Sequence, residues 1–408
     1  MLEKLIEHRL RKKKASLKEP LPLQVQLPSG TVVRFSEHPR MTVVLKRKRA
    51  LLALLSPSLA RIGEAYVEDA LDFQGDIEDI TACITRLVGV DRMKTLEGRR
   101  PSLASRLLAH TRRRDQRAVE YHYDASNDFY RLFLDQRMVY SCAYFQEGKE
   151  TLDQAQLDKL DYILTKVNLK PGERLLDVGC GWGGLLIRAV ERGATAVGVT
   201  LSQNQYDYCR QLIAKHGMQA RCEVRLQDYR AIPERGGYDK IVSVGMVEHV
   251  GLKKLPQYFN ILETLLKDDG AMLLHGITSN SVKYRDVGAG AGRFINRYVF
   301  PDGELVHVSH VMREMGAAGL EIIDVESLRR HYAKTHTHWS HRLEAHANRA
   351  VELVGERRYR IWRVYLAGCA FGFSQDWINI YQLLARKRMP GEDNPFPMTR
   401  EYMYTQHG

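Results

Sequence analysis

From residue 174 onward, short apolar runs alternate with longer stretches whose apolar positions recur every three to four residues. Arg174–Gly179, Ala196–Leu201, Cys222–Leu226, Tyr238–Val244 and Ala271–Ile277 are nearly continuous in aliphatic residues and read as buried strands. Gly184–Arg192, Gln203–His216 and Leu255–Leu266 have helical spacing and fall between them. Strand–helix alternation of this length predicts right-handed crossovers and an α/β, doubly wound, Rossmann-like sheet. Leu320–Val325 and Trp377–Leu384 are the candidates to complete it. Ligands of such sheets lie outside the carboxyl ends of the strands, so the polar residues at those ends are the first candidates for chemistry.

The richest of these ends is RLLDVGCGWGG, Arg174–Gly184. Gly179, Gly181 and Gly184 fit G-x-G-x-x-G, a tight turn that brings backbone N–H groups close to a nucleotide-like ligand. Asp177, at the strand end, can meet a ligand ammonium. A dinucleotide enzyme would carry an acid at the end of the next strand to hold a ribose. Here Thr195–Gln205 ends in Thr200, Ser202 and Gln205, with no carboxylate. Both features favour S-adenosylmethionine over a nicotinamide. Asp228, in LQDYR after the third strand, is placed to reach an adenine amino group. The plain alternative is a turn that only packs helix on sheet.

The N-terminal quarter has a different texture. LPLQVQLPSGTVVRF reads as two strands around Pro-Ser-Gly, MTVVLKRKRALLALL as a strand and a helix, and IGEAYVEDALDFQGD as a helix and an extended piece. IEDITACITRLVG is helical, with Ile80, Ile84, Leu87 and Val88 on one face. A smaller α+β domain over 1–115 is expected. An aromatic-rich bridge or lid over 116–150 and the main domain over 151–388 follow, then a tail over 389–408. The stretch 278–318 reads as an insertion that builds a substrate site.

Composition narrows the classes. The 408 residues are 44% apolar and 27% charged, a globular balance with room for two or three cores. No apolar run approaches the length of a membrane span, and the N-terminus lacks a secretory pattern, so a cytoplasmic protein is expected. Six cysteines without a C-x-x-C pair indicate neither a disulfide framework nor a zinc site, and no metal is expected. Net charge is +12, and residues 1–115 carry 23 Lys and Arg against 14 Asp and Glu. Clusters at Arg11–Lys14, Lys46–Arg49, Arg99–Arg100 and Arg112–Arg114 suit a polyanion such as an anionic membrane face. Any single cluster reads better as a solvated surface; the asymmetry taken together favours a polyanion.

HYDASNDFY with YSCAYF (122–145), LLDVGCGWGG (175–184), VGVTLSQNQ (197–205), LQDYR (226–230), SVGMVEHVG (243–251), LLHGI (273–277), INRYVFPDGEL (295–305) and YLAGCAFGF (365–373) occur in that order. Together they resemble the bacterial cyclopropane-fatty-acyl-phospholipid synthases and the mycolic acid cyclopropane synthases, over about residues 116–388. The resemblance implies a class I methyltransferase sheet and a reaction. A cis double bond of a phospholipid acyl chain attacks the sulfonium methyl of S-adenosylmethionine, a carbocation forms, and loss of a methyl proton closes a cyclopropane ring. In the family a bound bicarbonate takes that proton. Its partners would be an unsaturated phospholipid and the inner, anionic membrane surface, with peripheral attachment; a homodimer is a family expectation only.

Such chemistry needs a dry site, negative charge or ring faces near the cation, and one base. Tyr121, Tyr123, Phe129, Tyr130, Tyr140, Tyr144 and Phe145 offer rings for an apolar tunnel, or are an ordinary aromatic core. By resemblance, Glu248, His275, Cys142, the backbone of Ile277 and Tyr332 hold bicarbonate. Tyr140, Ser141, Gly179, Gly181, Thr200, Gln205, Asp228 and Tyr229 hold the cofactor, beside Asp177. Cys369 matches a cysteine proposed as catalytic, but its apolar surroundings argue against a thiolate. Phe145 stands where some members have Trp, which bears on tunnel shape. Competing readings are plain methyl or methylene addition without ring closure, a nucleic-acid methyltransferase, and a non-catalytic lipid-binding protein. No N-P-P-Y-like motif follows the fourth strand and no RNA-binding signature is present, so no nucleic-acid partner is expected.

Overall fold

A computed structural model describes residues 1–88, 126–282, 290–300, 303–388 and 396–404. The clusters at Arg99–Arg100 and Arg112–Arg114, together with Tyr121 and Tyr123, lie outside them. The chain forms two compact units. One comprises Met1–Arg100 with 285–301 and 336–377; the other comprises 101–284, 302–335 and 378–408. Segments within 151–388, which reads as one domain along the sequence, are thus shared between two clusters of contacts.

In the first unit, β1 (Leu23–Gln26) pairs antiparallel with β2 (Val32–Arg34) and parallel with β3 (Met41–Leu45). β3 pairs antiparallel with β4 (Leu71–Gln74), giving the order β2-β1-β3-β4. The β1–β2 connection turns at Gly30, whose φ of 88° is a left-handed value that glycine tolerates freely. Alternate residues Met41, Val43 and Leu45 are buried, the period-2 signature of a sheet with one face on a core. Helices Leu2–Ser16, Lys48–Leu55, Leu59–Val67 and Ile77–Val88 belong to the same unit. So does Glu356–Ser374, whose Ala367 enters the shared apolar core.

The second unit holds β5 (Arg174–Val178), β6 (Thr195–Thr200), β7 (Cys222–Leu226), β8 (Tyr238–Val244), β9 (Leu266–Ser279), β10 (Leu320–Ser327) and β11 (Ile378–Lys387). Their order is β10-β11-β9-β8-β5-β6-β7. The five strands from β9 to β7 are parallel, and β11 runs antiparallel between β9 and β10. Four of the five residues of β5 are buried, as required of a strand covered on both faces. This is the doubly wound sheet that the pattern predicts. The strand over Ala271–Ile277 extends at both ends to become β9. Part of 278–318 also proves to be regular fold: helix Val308–Ala317 buries Val311 and Met315 in the core that carries β10.

Candidate functional site

The glycine turn after β5 runs through three left-handed positions, which glycine adopts without strain. Gly179, Gly181 and Gly183 have φ of 83°, 54° and 85°. A Cβ on Gly179 would lie 2.6 Å from the side chain of Met246. The loop therefore lies against Met246, just after β8. Gly179, Gly181, Thr200, Gln205 and Tyr229 line an open cleft of about 840 Å³, mouth included, which also takes in Arg230, Met246, His249 and Lys254. Thr200 donates from Oγ1 to Gln205 at 2.8 Å, and Ser202 caps the following helix by accepting from the Gln205 amide. The sequence-predicted residues at the ends of β5, β6 and β7 thus meet at one rim.

Asp177 precedes the cleft-lining Val178 and, like Asp228, does not itself line the cleft; it is 3% exposed, with Oδ1 unpartnered among the described residues. Burial pushes its carboxyl up to about 7, opposed by Lys159. Lys159 is itself 2% exposed, and burial pulls it down to about 8, countered by Asp135, Asp177 and Cys142. Its ammonium donates to Ser141 Oγ at 3.1 Å. One turn earlier, the Gln156 amide donates to the carbonyls of Ser141 and Val139. The helix Leu152–Lys166 thus grips the Tyr140–Ser141 loop from inside. Gln156 and Lys159 are missed by motif reading. Their signal is two polar residues interrupting an otherwise buried stripe of Leu152, Ala155, Leu160 and Ile163.

Asp228 departs from expectation. Both its carboxylate oxygens are engaged by the Arg230 guanidinium, at 2.8 and 2.6 Å, and it does not line the cleft. The i,i+2 spacing across the turn lets Arg230 fold back on it, so an adenine amino group would have to share that carboxylate.

Glu248 begins the short helix Val247–Val250 after β8. Its Oε1 accepts from the Ile277 amide at 2.6 Å, while Oε2 is buried and unpartnered among the described residues. Burial pushes the carboxyl up to about 7 against the pull of that amide. The Ile277 N–H, expected to meet bicarbonate, is therefore already used by Glu248. Gly276 makes the approach possible, because a Cβ there would lie 2.3 Å from Val247 Cγ1.

His275 is fully buried on β9, with Nδ1 3.3 Å from the Gln382 amide nitrogen and Nε2 unpartnered among the described residues. Burial, with Lys159, Lys166 and His331 nearby, holds it well below the ordinary histidine range, so the ring is neutral at pH 7. With Gln382 donating, Nδ1 accepts and Nε2–H is the free donor.

The remaining candidates come together through a chain of backbone contacts. Cys142 Sγ lies 3.8 Å from the Leu328 carbonyl, which also accepts the Tyr332 amide at 3.0 Å. The Leu328 amide donates to Ile380 at 2.9 Å, and Ile380 faces Ile277 in the β11–β9 register. Thr335 and His331 fasten the amides of Ala143 and Phe145. Cys142, Tyr332, Ile277 and Glu248 thus sit along one connected path. Burial raises the Cys142 thiol far above its usual range, so it is no thiolate at pH 7. Cys369 lies in the other unit, on helix Glu356–Ser374, where burial pushes its thiol up to about 12. Most aromatic candidates pack on one another: Phe129, Tyr130 and Tyr140 form a cluster with Phe133 and Trp182, and Tyr144 stacks on His331 and Tyr162.

The donor set fits the expected groups. The glycine cradle and Asp177 suit a cationic nucleoside, and the free polar atoms of Glu248 and His275 suit a small oxyacid that both accepts and donates. No cluster suited to a metal occurs among the described residues. No helix among them is long and apolar enough to cross a membrane.

Residues 110–383 match the family model described as mycolic acid cyclopropane synthetase, and residues 10–88 match a domain of unknown function. The chain is 45% identical over 388 residues to a probable fatty acid methyltransferase of Pseudomonas putida, covering 94% of this chain and 96% of that protein. It is 40% identical over 278 residues to cyclopropane mycolic acid synthase 1 of Mycobacterium tuberculosis, covering 66% and 96%. A crystal structure of a mycolic acid cyclopropane synthase complexed with SAH and CTAB superposes with a TM-score of 0.63 at 39% identity, covering 67% of this chain and 98% of that one. The chain belongs to the mycolic acid cyclopropane synthetase family of S-adenosylmethionine-dependent methyltransferases.

Proposed function

We propose that the protein transfers a one-carbon unit to the cis double bond of an unsaturated phospholipid acyl chain and closes it to a cyclopropane. The observation that carries this is the buried Glu248 carboxyl, one oxygen fixed by Ile277 and the other free, in the helix whose Met246, His249 and Val250 neighbours line the cofactor cleft. S-adenosylmethionine, when bound, supplies an electrophilic methyl group. Bicarbonate, when bound, supplies a base. Asp177 would hold the ammonium of the first, with the glycine turn giving its backbone to the rest. Glu248 and the neutral His275 would orient the second through Oε2 and Nε2, Tyr332 and Cys142 closing the site.

Water is the hazard in this reaction, because it captures a carbocation as an alcohol. Burial of Glu248, His275 and Cys142 keeps their surroundings dry. A carboxylate in so apolar a place lowers the energy of a nearby cation more than it would in water. Neither thiol is ionised, so methyl transfer is direct and no covalent thioether step is needed. The basic N-terminal residues would bring the protein to an anionic membrane surface, where the substrate is.

A second reading, methyl or methylene addition without ring closure, draws support from the Pseudomonas relative, whose likeness spans nearly the whole chain. One experiment separates them. The protein is incubated with unsaturated phospholipid vesicles and methyl-labelled S-adenosylmethionine, and the acyl products are identified by mass spectrometry. Ring-bearing chains support the proposal; methyl-branched or methylene-bearing chains support the second reading; unmodified lipid would overturn both.

A further inference from the structure

The N-terminal unit contains a second cavity, remote in sequence from the residues that line the cleft. Its volume is about 190 Å³, more than the roughly 150 Å³ of an apolar cavity that stays dry and admits a small hydrocarbon. Ile6 lines it from helix Leu2–Ser16, Val43 from β3, Leu54 from helix Lys48–Leu55 and Leu87 from helix Ile77–Val88. Eleven of its thirteen lining residues are aliphatic or proline, and the other two are Arg9 and Lys13. Protein interiors ordinarily close such gaps, because unfilled apolar volume forfeits packing.

We propose that this cavity binds one acyl chain of an anionic phospholipid, its phosphodiester held by Arg9 and Lys13. Three observations favour that occupant. The lining carries no aromatic ring on which a base could stack, so a nucleic acid is a poor fit despite the basic charge. The two cations stand one turn apart on the same helix. Arg9 Nη1 donates to the Leu55 carbonyl at 2.7 Å, which fixes the rim, and Lys13 forms no ion pair among the described residues. Finally, Lys12 and Lys14 belong to the same helix, as does Arg11, which pairs with Glu7. A free fatty acid needs one cation; an anionic bilayer surface uses the whole cluster. The site would hold the protein to the membrane by an extracted chain while its second chain stays in the bilayer.

The test uses the full-length protein without S-adenosylmethionine. Vesicles containing phosphatidylglycerol with a diazirine in one acyl chain are irradiated with it, and adducts are mapped by peptide mass spectrometry. Adducts are expected within residues 1–15, 41–55 or 77–88. They should fall at least fivefold in Leu54→Trp, which fills the cavity, and in Arg9→Glu/Lys13→Glu, which reverses the rim. Adducts within 126–282 should persist in both. The double charge reversal lies on the surface and keeps the test valid if Leu54→Trp does not fold, with circular dichroism and melting as the check. Glu248→Gln should label like the wild type, which separates this site from the catalytic reading. No adducts in these segments, or adducts insensitive to both variants, would overturn the proposal. So would equal labelling by diazirine-bearing palmitate, or a photoreactive residue at position 54 that captures residues 89–125 of the chain itself instead of lipid.

Discussion

The backbone amide of Ile277 donates to Oε1 of Glu248 at 2.6 Å, and Oε2 of the same carboxyl is buried without a partner among the described residues. A side chain from the end of β8 is thereby locked to the end of β9, with half of its hydrogen-bonding capacity unspent. Replacing Glu248 with Gln keeps the shape and the Ile277 contact but removes the charge. We expect turnover to fall about 100-fold or more with S-adenosylmethionine affinity within threefold of wild type, by analogy with loss of a charge-stabilising group. Undiminished turnover would remove Glu248 from the mechanism.

The same carboxyl links activity to pH and opposes stability. Its value of about 7 lies above the ordinary 4.5, so the folded state holds the proton more tightly than the unfolded one. Stability is therefore lost as pH rises from about 4.5 to about 7, while the ionised form that the chemistry needs appears over the upper part of that range. Turnover of the wild type should rise through pH 7. Denaturant unfolding at pH 8 should find Glu248→Gln more stable than wild type by up to about 3 kcal/mol, with the difference vanishing at pH 4.

Asp177 makes a parallel prediction for cofactor binding. An ammonium prefers an ionised carboxylate, and this one is pushed up to about 7 by burial with only Lys159 opposing. Calorimetric affinity for S-adenosylmethionine should weaken as pH falls below 7. Lys159→Met removes the opposing cation and should move the midpoint of that dependence upward. Asp177→Asn should abolish the dependence and weaken binding about tenfold or more.

Gly276 tests the geometry instead of the charge. A methyl there would collide with Val247, 2.3 Å away, and push the helix that carries Glu248. Gly276→Ala should lower kcat about tenfold or more with little change in cofactor affinity, and Val247→Ala in the same chain should recover part of the loss. Failure of the double variant to recover any activity would mean that the strain is relieved elsewhere.

Cys369 should be dispensable as a nucleophile. At about 12, its thiol is almost wholly protonated at pH 7.5. Cys369→Ser should keep activity within about threefold, and iodoacetamide should alkylate Cys369 far more slowly than free cysteine, measured by peptide mass spectrometry. Fast alkylation at that site would contradict the burial argument.

Attachment to anionic vesicles should depend on salt. If the excess of Lys and Arg in residues 1–115 carries it, sedimentation with vesicles should decline steeply between about 50 and 300 mM salt, as charges become screened beyond about a Debye length. Binding indifferent to salt would assign the attachment to apolar contacts alone.

Much of this protein is written locally. The strands β5 to β9, the helices between them and the glycine turn follow from patterns that span ten residues or fewer, because burial on both faces and positive φ act on neighbouring positions. Asp177, Thr200 and Gln205 could be placed for the same reason: a parallel sheet puts its strand ends on one rim. What acts across long separations was decided by tertiary structure alone. Nothing near Glu248 in sequence announces that Ile277 will hold it, nor does anything near Tyr140 announce Gln156 and Lys159. The capture of Asp228 by Arg230 spans two residues and still escapes the pattern, since a salt bridge depends on which way two side chains turn. The neutral state of His275 likewise depends first on its burial and then on Lys159, Lys166 and His331 arriving from distant segments. Periodicity fixes which face of an element is buried; only packing fixes what it is buried against, and pKa values and free polar atoms follow from the latter.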